Sequence, residues 1–496
     1  RGGGSAREAL MESLLDELSR ALVDHSGKRW AQGLIYAVVL LIGATPWGLT
    51  FTLFQAAPLM VQLPPSSPSG PPSGLPEGPG ISAYLALSIQ VANLVIFGYC
   101  AVLERVTSGH PAHVRRRLAS ISVAGVYGLI VASNTAAAAL LTCASELSED
   151  EHACDGFVVA EVFGARRSVG LYAIGLSAGL SGSGAFLLGV PLLAAYRSVY
   201  TAAYFSGNGS MAMLVAVVGS AQVFGASAAS PNFSVADFFA IFAALSALSA
   251  GALAFVFGLE MRLPKLGLGL IAAGGEQSED DSGESMGSAV EPLENGGGDR
   301  SEQPLLIERR EFGTKGGEES ISVGGGEAPH PRGSGVLGLC ALQAGAGALN
   351  YGLSAPAFLR ASERMTSALP GLPSYCPAVT AVFATAGFSA SSWLPHALRP
   401  LPPARTLACV WCAATAGFLL PALGLVVPRG ILGPVLLVAD CAVFAFCCSC
   451  SISHHQIEAA ELCAAGNAQA PQRVSYALQV GALTGALASF LLLSGG

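Results

Sequence analysis

Runs of twenty or more mostly apolar residues recur along this chain, and nothing else in it constrains the fold as strongly. A helix rises about 1.5 Å per residue and the hydrocarbon of a bilayer is about 30 Å thick, so each such run is long enough to cross a membrane. Eleven are found, at 33–55, 81–103, 118–142, 169–193, 199–223, 235–259, 335–358, 374–394, 406–427, 430–451 and 474–494. Charge is correspondingly scarce. Only 12% of the 496 residues are Asp, Glu, Lys or Arg, about half of what water-soluble chains carry. A soluble core cannot explain that deficit, since a fold of this size still needs a polar shell, whereas a lipid-facing surface can. The expected fold is therefore an all-α polytopic membrane protein with about eleven transmembrane helices.

One long interruption divides the spans into six and five. Residues 262–334 are rich in Gly, Ser and Glu and cannot bury enough apolar surface to fold. The resulting domains are a cytosolic tail at 1–30, a six-helix half at 31–259, a disordered cytoplasmic loop at 260–334 and a five-helix half at 335–496. This six-plus-five order is like that of the major facilitator or nucleoside-carrier folds. Within the tail, 5–25 reads as an amphipathic helix, with Ser5 as its cap, Glu8 at the capping-box position and Leu10, Leu14, Leu18 and Leu22 along one face.

Basic residues orient the spans. With the N-terminus inside, twenty of the 25 Lys and Arg fall in inside segments and five outside; Arg105, Arg115, Arg116 and Arg117 supply most of the bias among the short loops. The C-terminus is then extracellular. Asn232-Phe233-Ser234 is a glycosylation sequon on the outer side. Cys143 and Cys154 flank an outer loop where a disulfide is a candidate. Glu302-Gln303-Pro304-Leu305-Leu306-Ile307 has the form of an acidic dileucine sorting signal. Cys447, Cys448 and Cys450 are palmitoylation candidates, and His454-His455 beside them could bind metal but is read first as facing water.

Several chemistries are excluded. The chain has no phosphate-binding GxxxxGK[ST] loop and no HExxH, so neither an ATP-driven pump nor a metal site is implied, and no cofactor. The spans contain no basic stripe of the kind nucleic-acid binding needs. No acid–base or nucleophile–base pair is identifiable from spacing, and the chain is read as a non-enzyme.

The informative residues are the polar ones within the spans, where lipid should exclude them. Asp440 lies at the middle of the tenth span; a charge there is costly, so it is either neutral or turned inward, as a structural hydrogen-bonding group or as the candidate for proton coupling. Gln90 and Asn93 share a face of the second span. Asn134, Asn208, Gln343, Asn350 and Gln479 are further amides within spans, each on its own more often interhelical glue than ligand. Together with Trp47, Tyr84, Tyr204 and Tyr351 they would suit a planar, hydrogen-bonding heterocycle. Gly207-Asn208-Gly209 reads as a loosened stretch of helix, such as substrate-binding spans use.

At these positions the sequence resembles the eukaryotic riboflavin transporter family. Pro58-Leu59-Met60-Val61-Gln62-Leu63, then Leu75-Pro76-Glu77-Gly78, Tyr84 and Asn93 follow the order of that family's first exit loop and second span. Gly207-Asn208-Gly209 is similar to its Gly-Gln/Glu-Gly turn, and Leu478-Gln479-Val480-Gly481-Ala482-Leu483 to a segment of its last span. Phe51 and Ala56 stand where the family has Asn and Glu. The resemblance implies a plasma-membrane carrier of riboflavin or a similar heterocycle, working by alternating access. It implies a substrate site formed by Trp47, Asn93, Asn208, Gln479, Asn350 and Tyr351, with Asp440 as the proton-coupling candidate. The partners are then a small riboflavin-like solute and the lipid bilayer, with no nucleic acid. The alternatives are an equilibrative nucleoside-type carrier and a membrane receptor or scaffold with no transport cycle.

Overall fold

The computed structural model describes residues 3–23, 28–61, 75–145, 158–162, 164–194, 196, 198–223, 231–268, 334–368, 404–426, 432–464 and 469–493. Nearly all of them are helical. Among the described residues, eight helices are long and apolar enough to cross a membrane, and a bent pair makes a ninth span. The helix Ala404–Ala422 is apolar but shorter. The eighth expected span, the bulk of the long acidic loop, the dileucine hexapeptide and the Cys143–Cys154 pairing lie outside the described residues.

The N-terminal half runs α1 (Gly3–Val23), α2 (Arg29–Ala44), α3 (Gly48–Val61), α4 (Ile81–Thr107), α5 (Ala112–Ser145), α6 (Val169–Gly184), α7 (Val190–Ala194), α8 (Ser198–Val223) and α9 (Val235–Glu260). The C-terminal half runs α10 (Ser334–Gly347), α11 (Ala355–Ala368), α12 (Ala404–Ala422), α13 (Leu432–Ala464) and α14 (Ala470–Leu493). In the first half α2 packs on α8, α4 on α6 and α5 on α9; in the second, α10 packs on α14 and α12 on α13; α4 and α14 join the two.

Small residues set the helix spacing, because lipid tails are as apolar as Leu and close backbone approach is what holds such helices together. A Cβ at Gly207 in α8 would collide with the Leu40 carbonyl oxygen of α2, and one at Gly481 in α14 with the Ala344 carbonyl oxygen of α10. The Gly207 run therefore does not loosen its span. α8 is continuous through it, and the glycine serves packing.

The breaks lie elsewhere. The first expected span is two helices, α2 and α3, meeting at 47° around Thr45-Pro46-Trp47. Proline at that point removes a backbone donor and clashes with the preceding turn. Two π-helical stretches interrupt other spans, Ala185–Gly189 between α6 and α7 and Ala348–Ser354 between α10 and α11.

An antiparallel hairpin, β1 (Val159–Val162) and β2 (Ala165–Ser168), pairs Val159 with Ser168 and Val162 with Ala165, an exception to the all-helical expectation. Glu77 anchors it, accepting from the Ser168 amide at 2.7 Å, the Ser168 hydroxyl at 3.0 Å and the Tyr172 hydroxyl at 2.6 Å. Arg167 lies over the Tyr84 ring, 4.8 Å from its centroid.

At the opposite end of the bundle, Glu260 pairs with Arg116 and accepts from the Tyr196 hydroxyl at 2.6 Å. Burial, reinforced by the Glu260 carboxylate, pushes the Tyr196 phenol well above its ordinary range, so it remains a donor. α1 docks at this end through Leu18, Ala21 and Leu22, while Leu10 and Leu14 are exposed. Ser5, expected as its cap, lies inside the described helix.

Candidate functional site

The three helix interruptions meet at one place. Trp47 comes from the α2–α3 break, Phe186 from the first π stretch and Tyr351 from the second, and all three line one narrow hollow. α8 adds Phe205 and Asn208, α13 adds Ser449, Ile452 and Ser453, and α14 adds Leu478 and Gln479. π-helical turns and broken helices within a membrane persist where they line a cavity, since backbone groups freed from the helix ladder need polar surroundings.

Trp47 and Tyr351, one from each half, stack with centroids 5.5 Å apart and planes 14° from parallel. Gly182 makes room for Trp47, since a Cβ there would meet the indole ring at 2.8 Å. Phe186 and Phe205 meet edge-on with centroids 6.0 Å apart. The space between atoms is about 430 Å³ with its open mouth included. The part a water molecule can enter is no larger than about one or two waters require. A flat solute therefore does not fit the hollow as it stands.

The polar lining is neutral and largely unsatisfied. Gln479 is fully buried, yet neither its Nε2 nor its Oε1 meets a protein partner. Asn208 Oδ1 and Ser449 Oγ are in the same condition. Buried polar atoms are almost always paired, so four such atoms around one hollow are unusual. No charged side chain lines it among the described residues.

Four of the residues expected from the sequence, Trp47, Asn208, Tyr351 and Gln479, are thus brought together. Asn93 lies one layer behind, fully buried; its Nδ2 donates to Gln90 Oε1 at 2.7 Å and to the Gln479 carbonyl at 3.3 Å, and its Oδ1 accepts from Ser183. It orders the backbone that carries Gln479. Asn350 shares the π stretch with Tyr351 but is not in the lining; its carbonyl accepts from Ser354 Oγ. Asp440 is placed against Gly417 of α12, nine residues before Ser449 and outside the lining. Asn232 donates to the Ala221 carbonyl at 2.8 Å, and Ser234 caps α9 in a capping box with Asp237, so both sequon side chains are engaged.

Other sequence readings change. His455 does not face water: it is 2% exposed and bonded to Gln343. Cys447, Cys448 and Cys450 are buried within the bundle, which does not suit acylation. Tyr84 stacks on Tyr172 near the hairpin and Tyr204 packs on Phe205, neither lining the hollow. Among the described residues no cluster of ligands could hold a metal. Phe186, Ser449 and Ser453 were missed; the only signal for them is the small-residue run Gly182-Ser183-Gly184-Ala185 and two serines four apart on one helix face.

No protein-family model matches the chain, and no curated protein sequence matches it. Among solved structures it is similar to the crystal structure of the nucleoside transporter NupG, with 13% sequence identity and a TM-score of 0.45, over 93% of this chain and 91% of that one.

Proposed function

We propose that the protein is a carrier that moves an uncharged, flat heterocyclic solute across the membrane by alternating access. The observation that carries this reading is the convergence of three helix interruptions on a narrow hollow between the halves, completed by three uninterrupted helices. Rocking of the halves about that point would part Trp47 from Tyr351 and open the hollow to one side at a time.

The lining also bears on the solute. Gln479 offers an unpaired donor and an unpaired acceptor on one amide, the complement of an amide-like ring edge such as that of a pyrimidinone. Asn208 and Ser449 add further contacts, and the aromatic rings give a flat system faces to stack on. The absence of charge in the lining among the described residues disfavours anions and cations, which would be stranded without a counter-ion.

Riboflavin has such an edge on its isoalloxazine ring, and it is the solute implied by the resemblance of the second and last spans. A nucleoside presents the same edge on a smaller ring. The tightness of the hollow favours it, because the halves need to part less to admit it. Labelled riboflavin and labelled uridine, offered separately to cells deficient in uptake of each and expressing the full chain, decide between them. Competition by lumiflavin but not by nucleosides assigns the flavin reading, and the reverse assigns the nucleoside one. Uptake of neither above background, with the protein present at the cell surface, removes the carrier reading in favour of a receptor or scaffold.

A further inference from the structure

A second polar group is enclosed by α10, α13 and α14, between the hollow and the end of the bundle where α13 finishes. His455 on α13 is 2% exposed, and its Nδ1 lies 2.8 Å from Oε1 of Gln343 on α10, itself fully buried. The other ring nitrogen, Nε2, and the Gln343 amide nitrogen meet no protein partner. Gln456, the next residue, has Oε1 3.5 Å from Ser475 Oγ of α14 and an unpaired Nε2. A histidine that only filled core space would have both ring nitrogens satisfied. This one keeps a buried nitrogen free to take a proton.

His455 is also joined to the hollow. Ile452, three residues earlier on α13 and on the same helix face, lines it, as does Ser449 a turn before that. On α10, the π stretch that carries Tyr351 begins five residues after Gln343. A change of charge at the imidazole therefore acts on both helices that close the hollow from the C-terminal half.

We propose that His455, held by Gln343, is a proton-binding site coupled to solute occupancy of the hollow, so that each solute crosses with one proton. The proposal rests on the carrier reading. In the neutral state one ring nitrogen holds the hydrogen of the Gln343 bond and the other offers its lone pair. A proton from the loading side takes that lone pair, and it is given up to the other side when the solute leaves. The solute is uncharged, so each cycle moves one positive charge.

The titratable groups around His455 do not neutralise that proton. On its own helix, His454 lies with its ring centroid 6.3 Å away and is paired with Glu458 at 3.7 Å. α10 contributes Cys340, and α14 contributes Arg473, near Cys340 and bonded to Gln469 at 2.6 Å. α12 contributes Cys412, close to Cys448. Among the described residues no carboxylate bonds the His455 ring.

The test uses the full chain in proteoliposomes loaded with a pH-sensitive dye, with riboflavin or uridine added outside. Coupling predicts acidification of the lumen on addition of the transported solute, and faster uptake under an inside-negative potassium diffusion potential. His455→Gln should abolish both responses while solute-for-solute exchange, which needs no net proton movement, continues. His454→Gln should retain both. Solute uptake by the wild-type protein without acidification overturns the coupling and leaves the carrier reading standing, whether or not the variants fold. Uptake of neither solute overturns both. A His455→Gln protein that still acidifies the lumen moves the proton site elsewhere and equally refutes the assignment.

Discussion

Gln479 should be a residue whose removal stabilises the resting protein and disables it. Its side chain is fully buried with an unpaired donor and an unpaired acceptor, while its backbone carbonyl independently accepts from Asn93. Leu fills nearly the same volume and leaves the backbone bond untouched. An unsatisfied buried polar atom costs about 1–3 kcal/mol in soluble proteins, and amide interactions within membranes fall in a band of about 0.6–2 kcal/mol. Internal waters relieve part of that cost, so Gln479→Leu is expected to gain about 1–3 kcal/mol of stability. The same substitution deprives a bound solute edge of two hydrogen bonds. At about 1.4 kcal/mol per factor of ten, that weakens affinity by roughly ten- to a hundredfold.

The assay is thermal unfolding of the purified protein in detergent, with and without riboflavin or uridine, alongside equilibrium binding of the labelled solute. A ligand that binds only the folded state raises the midpoint by an amount that grows with the logarithm of its concentration over Kd. Wild type should show a lower midpoint alone and a solute-induced rise; Gln479→Leu should show a higher midpoint alone and little or no rise. A variant that melts below wild type would mean the amide holds the bundle together. One that keeps the full solute-induced rise would mean the solute binds elsewhere. Either result refutes the reasoning.

Trp47→Ala removes a stacked pair that contributes about 0.5–1.5 kcal/mol to closing the halves; solute exchange should quicken and affinity fall, as read by counterflow in proteoliposomes. Gly481→Val drives a side chain into the Ala344 carbonyl, an overpacking that costs about 1–3 kcal/mol or more and should appear as a lowered midpoint and a broadened elution profile. Glu77→Ala deletes three hydrogen bonds that hold the hairpin, two of them short, and should accelerate trypsin cleavage at Arg166 and Arg167 with little change in the midpoint. Asp440→Asn preserves the shape packed on Gly417 and should leave solute-driven acidification intact; loss of acidification would restore Asp440 as the coupling group in place of His455.

The sequence carried the helices well and their irregularities poorly. Length and apolarity are properties of a run, so α4, α5, α6, α8, α9 and α14 begin or end within a few residues of their expected limits. A break is a property of a few residues. Pro46 is a visible cause of the first one, yet the hydropathy of 33–55 reads straight across it. The two π stretches leave no mark in hydropathy, because one extra residue in a turn changes neither apolarity nor period enough to register. Gly207-Asn208-Gly209 misled for the opposite reason: glycine in a membrane helix signals either loosening or close packing, and only the position of Leu40 in α2 decides for packing. The hairpin at 159–168 escaped because two four-residue strands, one containing Arg166 and Arg167, fall below any period that can be counted.

The polar residues were easier to read than the backbone because hydrocarbon penalises them wherever they point. That penalty says only that a side chain turns inward; it does not say toward what. Trp47, Asn208, Tyr351 and Gln479 turn toward one hollow, whereas Asn134 turns back on its own helix, donating to the Ile130 carbonyl at 2.9 Å. What separates the two cases is grouping: Asn134 spends its Nδ2 on its own helix and leaves only Oδ1 unpaired, whereas Asn208, Ser449 and Gln479 leave four unpaired atoms around a single hollow. Helix interruptions and a cluster of unsatisfied polar atoms around one hollow are therefore better evidence of a solute site together than either is alone, and among the described residues the two coincide beside the Trp47–Tyr351 contact between the halves.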